Sequence, residues 1–442
     1  MKKFIVLILF NAFVIYAGGI HSNKEDYIEK LNELLEQEIS LWYPLCVDTV
    51  YGGYYSDINY KWELEGAQNK MIVTQARHIW SISNAALNFP KYRECLKYAK
   101  HGVDFLSSVM WDDKYGGFYD LVDRKGKPIK ENGKIIKKAY GNAFAIYGLS
   151  AYFRATGDSS ALNLAIKTFE WLDRHSYDEQ YGGYFQFMER NGAPFTEGYN
   201  EVPPKDQNSS IHLLETFTEL YKVWKDDHLR RRLESVFYLV RDRIVSEKGY
   251  MRLFFTRDME PISYRDSSDL VRSRNFEFDH VSFGHDIEVA YLLLEASDAM
   301  DLPDKEKTLG IAKKLVDHTL LNGWDSDKGG IYDRGYYFKG KDKITIIRKT
   351  KEWWAQAEAL NSALLFAILF PVDNIDYYSY FEKQINYIEN YLVDGKYGGW
   401  FFWGSDSAEN MEFYPKASIW KGNYHTTRAL INCLNHLEKD LK

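Results

Sequence analysis

The sequence predicts an all-α fold, an (α/α)6 barrel of six helical hairpins with short β-hairpins in the connecting loops. Two observations predict it. The first is a glycine phrase flanked by aromatic residues that recurs six times: YGGYY at 51–55, YGGFYD at 115–120, YGGYF at 181–185, KGYMRLFF at 248–255, GGIYD at 329–333 and YGGWFF at 397–402. The aligned glycines, Gly53, Gly117, Gly183, Gly249, Gly330 and Gly399, are 64, 66, 66, 81 and 69 residues apart, room for two helices and a turn in each unit. The second is an alternation. An amphipathic, charged stretch of helical length precedes every glycine phrase, and a more apolar stretch follows it.

The charged stretches lie at 24–42, 92–110, 161–175, 227–245, 305–321 and 377–392. Each has one wet face and reads as an outer helix. The apolar stretches lie at 71–87, 141–154, 208–224, 283–297, 353–369 and 423–437 and read as inner helices, covered on most sides. Between them the glycine phrases set β-forming residues beside a turn, the pattern of a short hairpin. Polar inserts at 187–206, 256–278 and 333–351 all fall between a glycine phrase and the next inner helix. They therefore share one end of the barrel, where the mouth of a cavity is expected.

A chain of 442 residues exceeds the usual size of one core. The even repeat nevertheless predicts one closed domain over 20–442 without a linker, because each unit buries its faces against its neighbours. Residues 1–19 have the form of a secretory signal peptide: Lys2 and Lys3, an apolar run from Phe4 to Ala17, then small Gly18 and Gly19. An exported protein, periplasmic and without stable membrane insertion, is expected. Cys46, Cys95 and Cys433 have neither framework nor metal-ligand spacing and read as packed thiols. A net charge of -7 with mixed faces excludes a basic stripe for nucleic acid. Aromatic residues make up 16% of the chain, more than a core needs, and flat rings stack well on the C–H faces of sugars.

Near the start of every inner stretch stand residues that an apolar core would not choose. They are Arg77, Tyr140 with Asn142, Asn208 with His212, His285 with Glu288, Trp354 with Glu358, and Trp420 with His425. If the ring closes, they converge. Three histidines at comparable positions of different repeats carry more weight than any one, while His101, His175, His228 and His318 lie on charged stretches and read as surface. His212 with Glu215 and His285 with Glu288 are spaced to share a helix face, where a carboxylate fixes the imidazole tautomer. Trp354 and Glu358 likewise combine a stacking ring with an acceptor for hydroxyls.

These motifs resemble the N-acylglucosamine 2-epimerase superfamily, and within it the cellobiose and mannobiose 2-epimerases. The resemblance rests on GHDIE at 284–288, WWAQAE at 353–358 and WKGNYH at 420–425, supported by QAR at 75–77 and HLLE at 212–215. It implies the same barrel and inversion at C2 of a reducing-end aldose, the substrate being a small reducing disaccharide. By the same resemblance His285 and His425 are the acid/base pair, His212 assists ring opening, and Arg77 polarises the oxygens on C1 and C2. Tyr140, Asn142, Asn208, Glu288, Trp354, Glu358 and Trp420 would position the sugar. The chain departs from the family pattern at Ala355, Ser210 and Tyr291, changes that bear on the sugar more than on proton transfer.

The chemistry accounts for that set. A hydrogen beside a carbonyl becomes acidic when the developing enediolate is stabilised, which a fixed guanidinium does without a metal. One imidazole removes the C2 proton and another returns one to the opposite face. No cofactor is expected, and the state is a monomer or homodimer. Two alternatives share the fold: an aldose–ketose isomerase, which returns the proton to C1, and a glycoside hydrolase, which needs two carboxylates across a glycosidic bond.

Overall fold

The structure is a computed structural model describing residues 24–440, so the signal segment at 1–19 lies outside the described residues. Helix α1 covers residues 24–42. It is followed by α2 (Ile72–Asn88), α3 (Leu96–Phe105), α4 (Ala139–Thr156), α5 (Ser159–Ser176), α6 (Gln207–Val223) and α7 (Asp227–Leu239). After two short helices, α8 (Asp269–Arg274) and α9 (Phe276–Asp279), come α10 (Phe283–Met300), α11 (Lys305–Asn322), α12 (Trp353–Leu369), α13 (Tyr377–Tyr387) and α14 (Tyr424–Asn435).

Inner helices α2, α4, α6, α10, α12 and α14 each pack against the next, and α14 packs back on α2. The ring closes as expected. Helices α3, α5, α7, α11 and α13 lie outside their inner partners, and α1 covers α14, where Thr426 Oγ1 donates to the buried Glu38 at 3.0 Å. Small residues allow close approach: a Cβ on Gly148 of α4 would come within 2.6 Å of the Ala76 carbonyl oxygen of α2.

Short antiparallel strands stitch the first five repeats together in order, and isolated bridges at Glu352–Trp403 and Ile58–Ala417 continue the pattern. β1 (Lys70–Met71) pairs with β2 (Leu121–Val122), β3 (Ile136–Lys138) with β4 (Phe187–Glu189), and β5 (Lys205–Asp206) with β6 (Phe254–Phe255). In the last sheet β7 (Val281–Ser282) pairs with β8 (Arg334–Tyr336), which pairs with β9 (Thr345–Arg348). The glycine phrases form the expected tight turns, Gly116 and Gly117 both taking the left-handed conformation at φ 70° and 69°.

A buried ion pair fixes these turns. Lys70 Nζ donates to Asp48 at 2.9 Å and to the Gly52 carbonyl at 2.5 Å, tying the turn to the entry of α2. Lys137–Asp112, Lys205–Asp178, Lys351–Asp325 and Lys416–Asp394 repeat the pairing. An arginine from the following repeat joins three of the aspartates: Arg124 at Asp48, Arg190 at Asp112 and Arg257 at Asp178, at 3.0, 2.8 and 3.3 Å. The fourth repeat departs, with Ser246 and Val281 at the two positions.

Four of the six turns are also held from the inner helix by a polar side chain. Gln75, Asn142, Asp286 and Gln356 accept from the backbone N–H of Tyr54, Phe118, Met251 and Ile331. Burial holds Asp286 well above the usual carboxylate range.

Two expectations need correction. Asn142 is fully buried, with its oxygen on Phe118 N–H and its amide on the Lys138 carbonyl, so it serves the fold and cannot position a sugar. His318 is no surface residue: it is buried and shares a hydrogen bond of 2.8 Å with the Tyr337 hydroxyl. Its outer helix turns this face toward the loop of the fifth repeat.

Replacing Lys205 by methionine leaves the buried Asp178 carboxylate with only the partly exposed Arg257 at 3.3 Å, and losing a hydrogen bond from a charged donor at a buried site costs about 1.5 to 3 kcal/mol. Chemical denaturation should show that loss for K205M, and a change below about 0.5 kcal/mol would refute the clamp.

Candidate active site

The six inner helices point their N-terminal turns at one cavity of about 500 Å³. Arg77, Tyr140, Asn208, His212, His285, Glu288, Trp354, Trp420 and His425 all line it. Every one except Trp420 comes from the first two turns of an inner helix, where unpaired N–H groups and the helix dipole favour negative charge on a ligand. Trp420, 50% exposed, stands at the rim. The polar inserts supply Asp206, Glu277, Asp333 and Arg334 to the same cavity, which places them at its mouth.

The indole of Trp354 lies against both of the expected acid/base residues, its ring centroid 4.7 Å from that of His285 and 5.5 Å from that of His425. The two imidazoles thus border one space. His285 Nδ1 shares a 2.7 Å hydrogen bond with the Ser282 hydroxyl, so Glu288, three residues on, is not its partner. His425 Nδ1 meets Glu358 at 2.7 Å. Glu358 does not line the cavity: it stands behind His425 and orients it, a correction to its expected contact with sugar. The His212–Glu215 pair forms as its spacing predicts, at 2.9 Å.

Burial pushes both His285 and His425 well below the ordinary imidazole value, His285 further lowered by His212 and His425 by the charge of Arg77. Both rings are therefore neutral at pH 7. Burial pushes Glu358 up, against the opposing pull of Arg428. Glu215 is also desolvated, yet Arg428 and His212 outweigh burial and hold it below its usual range.

Arg77 is buried above the cavity floor. Its guanidinium lies 4.3 Å from the Phe144 centroid and 4.9 Å from that of Tyr424, and its Nη2 donates to the Tyr140 hydroxyl at 3.0 Å. Among the described residues its Nε has no hydrogen-bond partner, nor do the acceptors Gln207 Oε1, Asn208 Oδ1 and Glu288 Oε2. Gln207, Asn208 and Glu288 border the cavity, so these acceptors suit a ligand rich in hydroxyl donors.

The sequence motifs did not single out Arg428, the most connected side chain of the region. Fully buried, it donates through Nη1 to Glu215 and, at 2.5 Å, to the Tyr424 hydroxyl, and through Nη2 to Glu288 and, at 2.6 Å, to Glu358. A signal for it exists in the repeat. Seven residues after Lys70, Lys137, Lys205, Val281, Lys351 and Lys421 stand Arg77, Phe144, His212, Glu288, Glu358 and Arg428, one axis-facing residue per inner helix. Glu288, Glu358 and His425 have ligand atoms within 4.8 Å of one another, a spacing that can hold a metal. Both carboxylates are taken instead by the Arg428 guanidinium.

At the mouth, burial and Asp333 push Glu352 up to about 7, while burial and Arg334 push His280 down to about 4. Neither residue was singled out from the sequence. Glu352 accepts from the Trp354 indole N–H and so steadies the ring that both histidines touch.

Comparison with known proteins agrees with this arrangement. Residues 53–429 match the family model of N-acylglucosamine 2-epimerase (GlcNAc 2-epimerase). A cellobiose 2-epimerase of Bacteroides fragilis is 28% identical over 92% of this chain and 98% of its own. A D-mannose isomerase of Marinomonas mediterranea is 24% identical over 91% of this chain and 96% of its own. The solved structure of cellobiose 2-epimerase from Spirochaeta thermophila superposes with a TM-score of 0.80 at 26% identity, covering 96% of this chain and 99% of that one. With its barrel, its cavity and this match over most of its length, the chain belongs to the N-acylglucosamine 2-epimerase family and is a carbohydrate isomerase.

Proposed function

We propose that the protein inverts C2 of the reducing-end aldose of a disaccharide of the cellobiose or mannobiose kind. The observation that carries this reading is the placement of two neutral imidazoles, His285 and His425, against one indole, that of Trp354, in one cavity. Ring opening exposes the C1 carbonyl, and His212, held by Glu215, lies close enough to Tyr140 and Phe144 to share that floor. One imidazole takes the C2 proton. Arg77 stabilises the negative charge that spreads onto the C1 and C2 oxygens. The other imidazole delivers a proton to the opposite face, and the pair exchanges roles in the reverse direction.

Two-sided protonation favours an epimerase over an aldose–ketose isomerase, which needs only one base on one face. Hydrolysis fits poorly, because Glu288 and Glu358 are both bound by Arg428 and neither is free to act alone across a glycosidic bond. The cavity volume suits two sugar rings better than one, and its aromatic rim offers Trp420 and Phe402 as stacking faces. We propose further that the protein is exported. Mature protein recovered from a periplasmic fraction should lack residues 1–19, and full-length protein confined to the cytosol would overturn this.

In heavy water, cellobiose or mannobiose should gain deuterium at C2 together with formation of the epimer, followed by NMR. Alanine at His285 or His425 should lower kcat by about 10² to 10⁴. A ketose product would move the assignment to the isomerase reading, and no exchange with any reducing sugar would sink both.

Histidine ring NMR gives a second check. His285 and His425 should remain neutral on lowering the pH to 6.5, the ordinary value, because burial depresses both. An unfolded chain takes up those protons near 6.5, so the two rings cost no stability above that pH and an increasing amount below it. Protonation of either ring at or above pH 6.5 would contradict the burial argument.

A further inference from the structure

We propose that Arg428 is a positioning residue that fixes the tautomers of His212 and His425 from behind, through the two carboxylates on which both rings rest. Its guanidinium reaches Glu215 through one nitrogen and Glu358 through the other. Those carboxylates in turn meet His212 Nδ1 at 2.9 Å and His425 Nδ1 at 2.7 Å. The path from cation to carboxylate to imidazole is thus drawn twice from one buried charge. Arg428 is fully buried and does not border the cavity, so it cannot touch a sugar.

The physical consequence is one of proton placement. An ionised carboxylate only accepts, so it takes Nδ1–H and leaves the Nε2 lone pair as the base facing the cavity. A protonated carboxyl donates to Nδ1 instead, and the ring proton moves to Nε2. Three carboxylates meet at Arg428, from Glu215 on α6, Glu288 on α10 and Glu358 on α12. Tyr147 of α4, Tyr291 of α10 and Tyr424 of α14 face the same cluster, and Arg77 of α2 lies beyond Tyr424. Without the guanidinium, three buried anions have no adjacent cation, and one or more must take up a proton. Glu358, already raised by burial, is the first to do so.

The kinetic part of this inference rests on the epimerase reading, but its structural part does not. Ring ¹⁵N–¹H spectra of the wild type should show His425 protonated at Nδ1 and bare at Nε2, whatever the protein's activity. In R428M the proton should appear on Nε2, while R428K, which keeps a charge, should retain the wild-type tautomer. With a reducing disaccharide, R428M should lose about 10²-fold or more in kcat with KM within about 2-fold, since the residue touches no substrate. Its acid limb should move to higher pH, because a carboxylate without its cation ionises later.

Should R428M fail to fold, R428M/E288Q removes one charge of each sign and leaves Glu215 and Glu358 without a cation, and the same spectral change is expected. An unchanged His425 tautomer in a folded variant lacking Arg428 would overturn the proposal. So would a fall in kcat with the pH profile unmoved, the signature of general structural damage. An inactive wild type with the expected spectra would sink the epimerase reading alone.

Discussion

One buried cation organises the centre of this barrel. Arg428 enters from α14 and binds carboxylates from α6, α10 and α12, so four of the six inner helices meet at a single guanidinium. Desolvating these ions costs several kcal/mol each, and the cost is offset only when every partner is in place. The network also settles what hydrophobicity leaves open. Helix α12 reads WWAQAEALNSALLFAIL and is buried nearly all round, so apolar burial alone barely selects its rotation. Glu358 selects it, because one rotation brings the carboxylate to Arg428 and His425 together. The same contact that orients the helix orients the imidazole.

Around this centre the scaffold is modular. The Asp–Lys clamp ties each glycine turn to the helix entry in five repeats, and the arginine borrowed from the next unit links neighbours. Each Asp–Lys pair is neutral and buried, and the added arginine of three repeats is partly exposed to solvent, so the buried charge of the clamp is balanced. The fourth repeat replaces the ion pair with Ser246 and Val281. That is the unit bearing His285, whose Nδ1 bonds to Ser282 next to Val281. A lysine at Val281 would set a positive charge near a ring that the proposed proton transfer needs neutral.

Much of this was legible in the sequence because repetition exposes it. The glycine phrases gave the number of units, and the alternation of charged and apolar stretches gave the inner and outer rings to within a few residues. His212, His285, His425 and Arg77 stood out because a polar residue at the start of an apolar helix has no packing reason to be there. The same rule misled at Asn142, where the polar group pays for itself by holding Phe118 N–H, a backbone donor that no sequence pattern reveals. It passed over Arg428, hidden in a stretch already marked by His425. The mouth residues His280 and Glu352 were invisible for another reason: they stand where irregular inserts run into the next inner helix, just before any helical period begins to mark a face.

The repeat therefore separates stability from chemistry by position along each unit. The entry residue is a lysine in five units and builds the clamp or its neighbourhood, while the residue seven further on faces the axis and is never the same in all six. Around the ring this axial layer runs arginine, phenylalanine, histidine, glutamate, glutamate, arginine, with Arg77 on Phe144, Phe144 on His212, and Arg428 on both glutamates. A perfectly symmetric barrel could place six like charges there, which would repel, or six apolar groups, which would do nothing. Breaking the symmetry in this one layer creates a cationic side at Arg77 and an anionic side held by Arg428. Under the epimerisation proposed above, a planar intermediate with negative charge on two adjacent oxygens would have a preferred orientation across such a layer, oxygens toward Arg77 and C2 toward His285 and His425, each three residues before an axial residue.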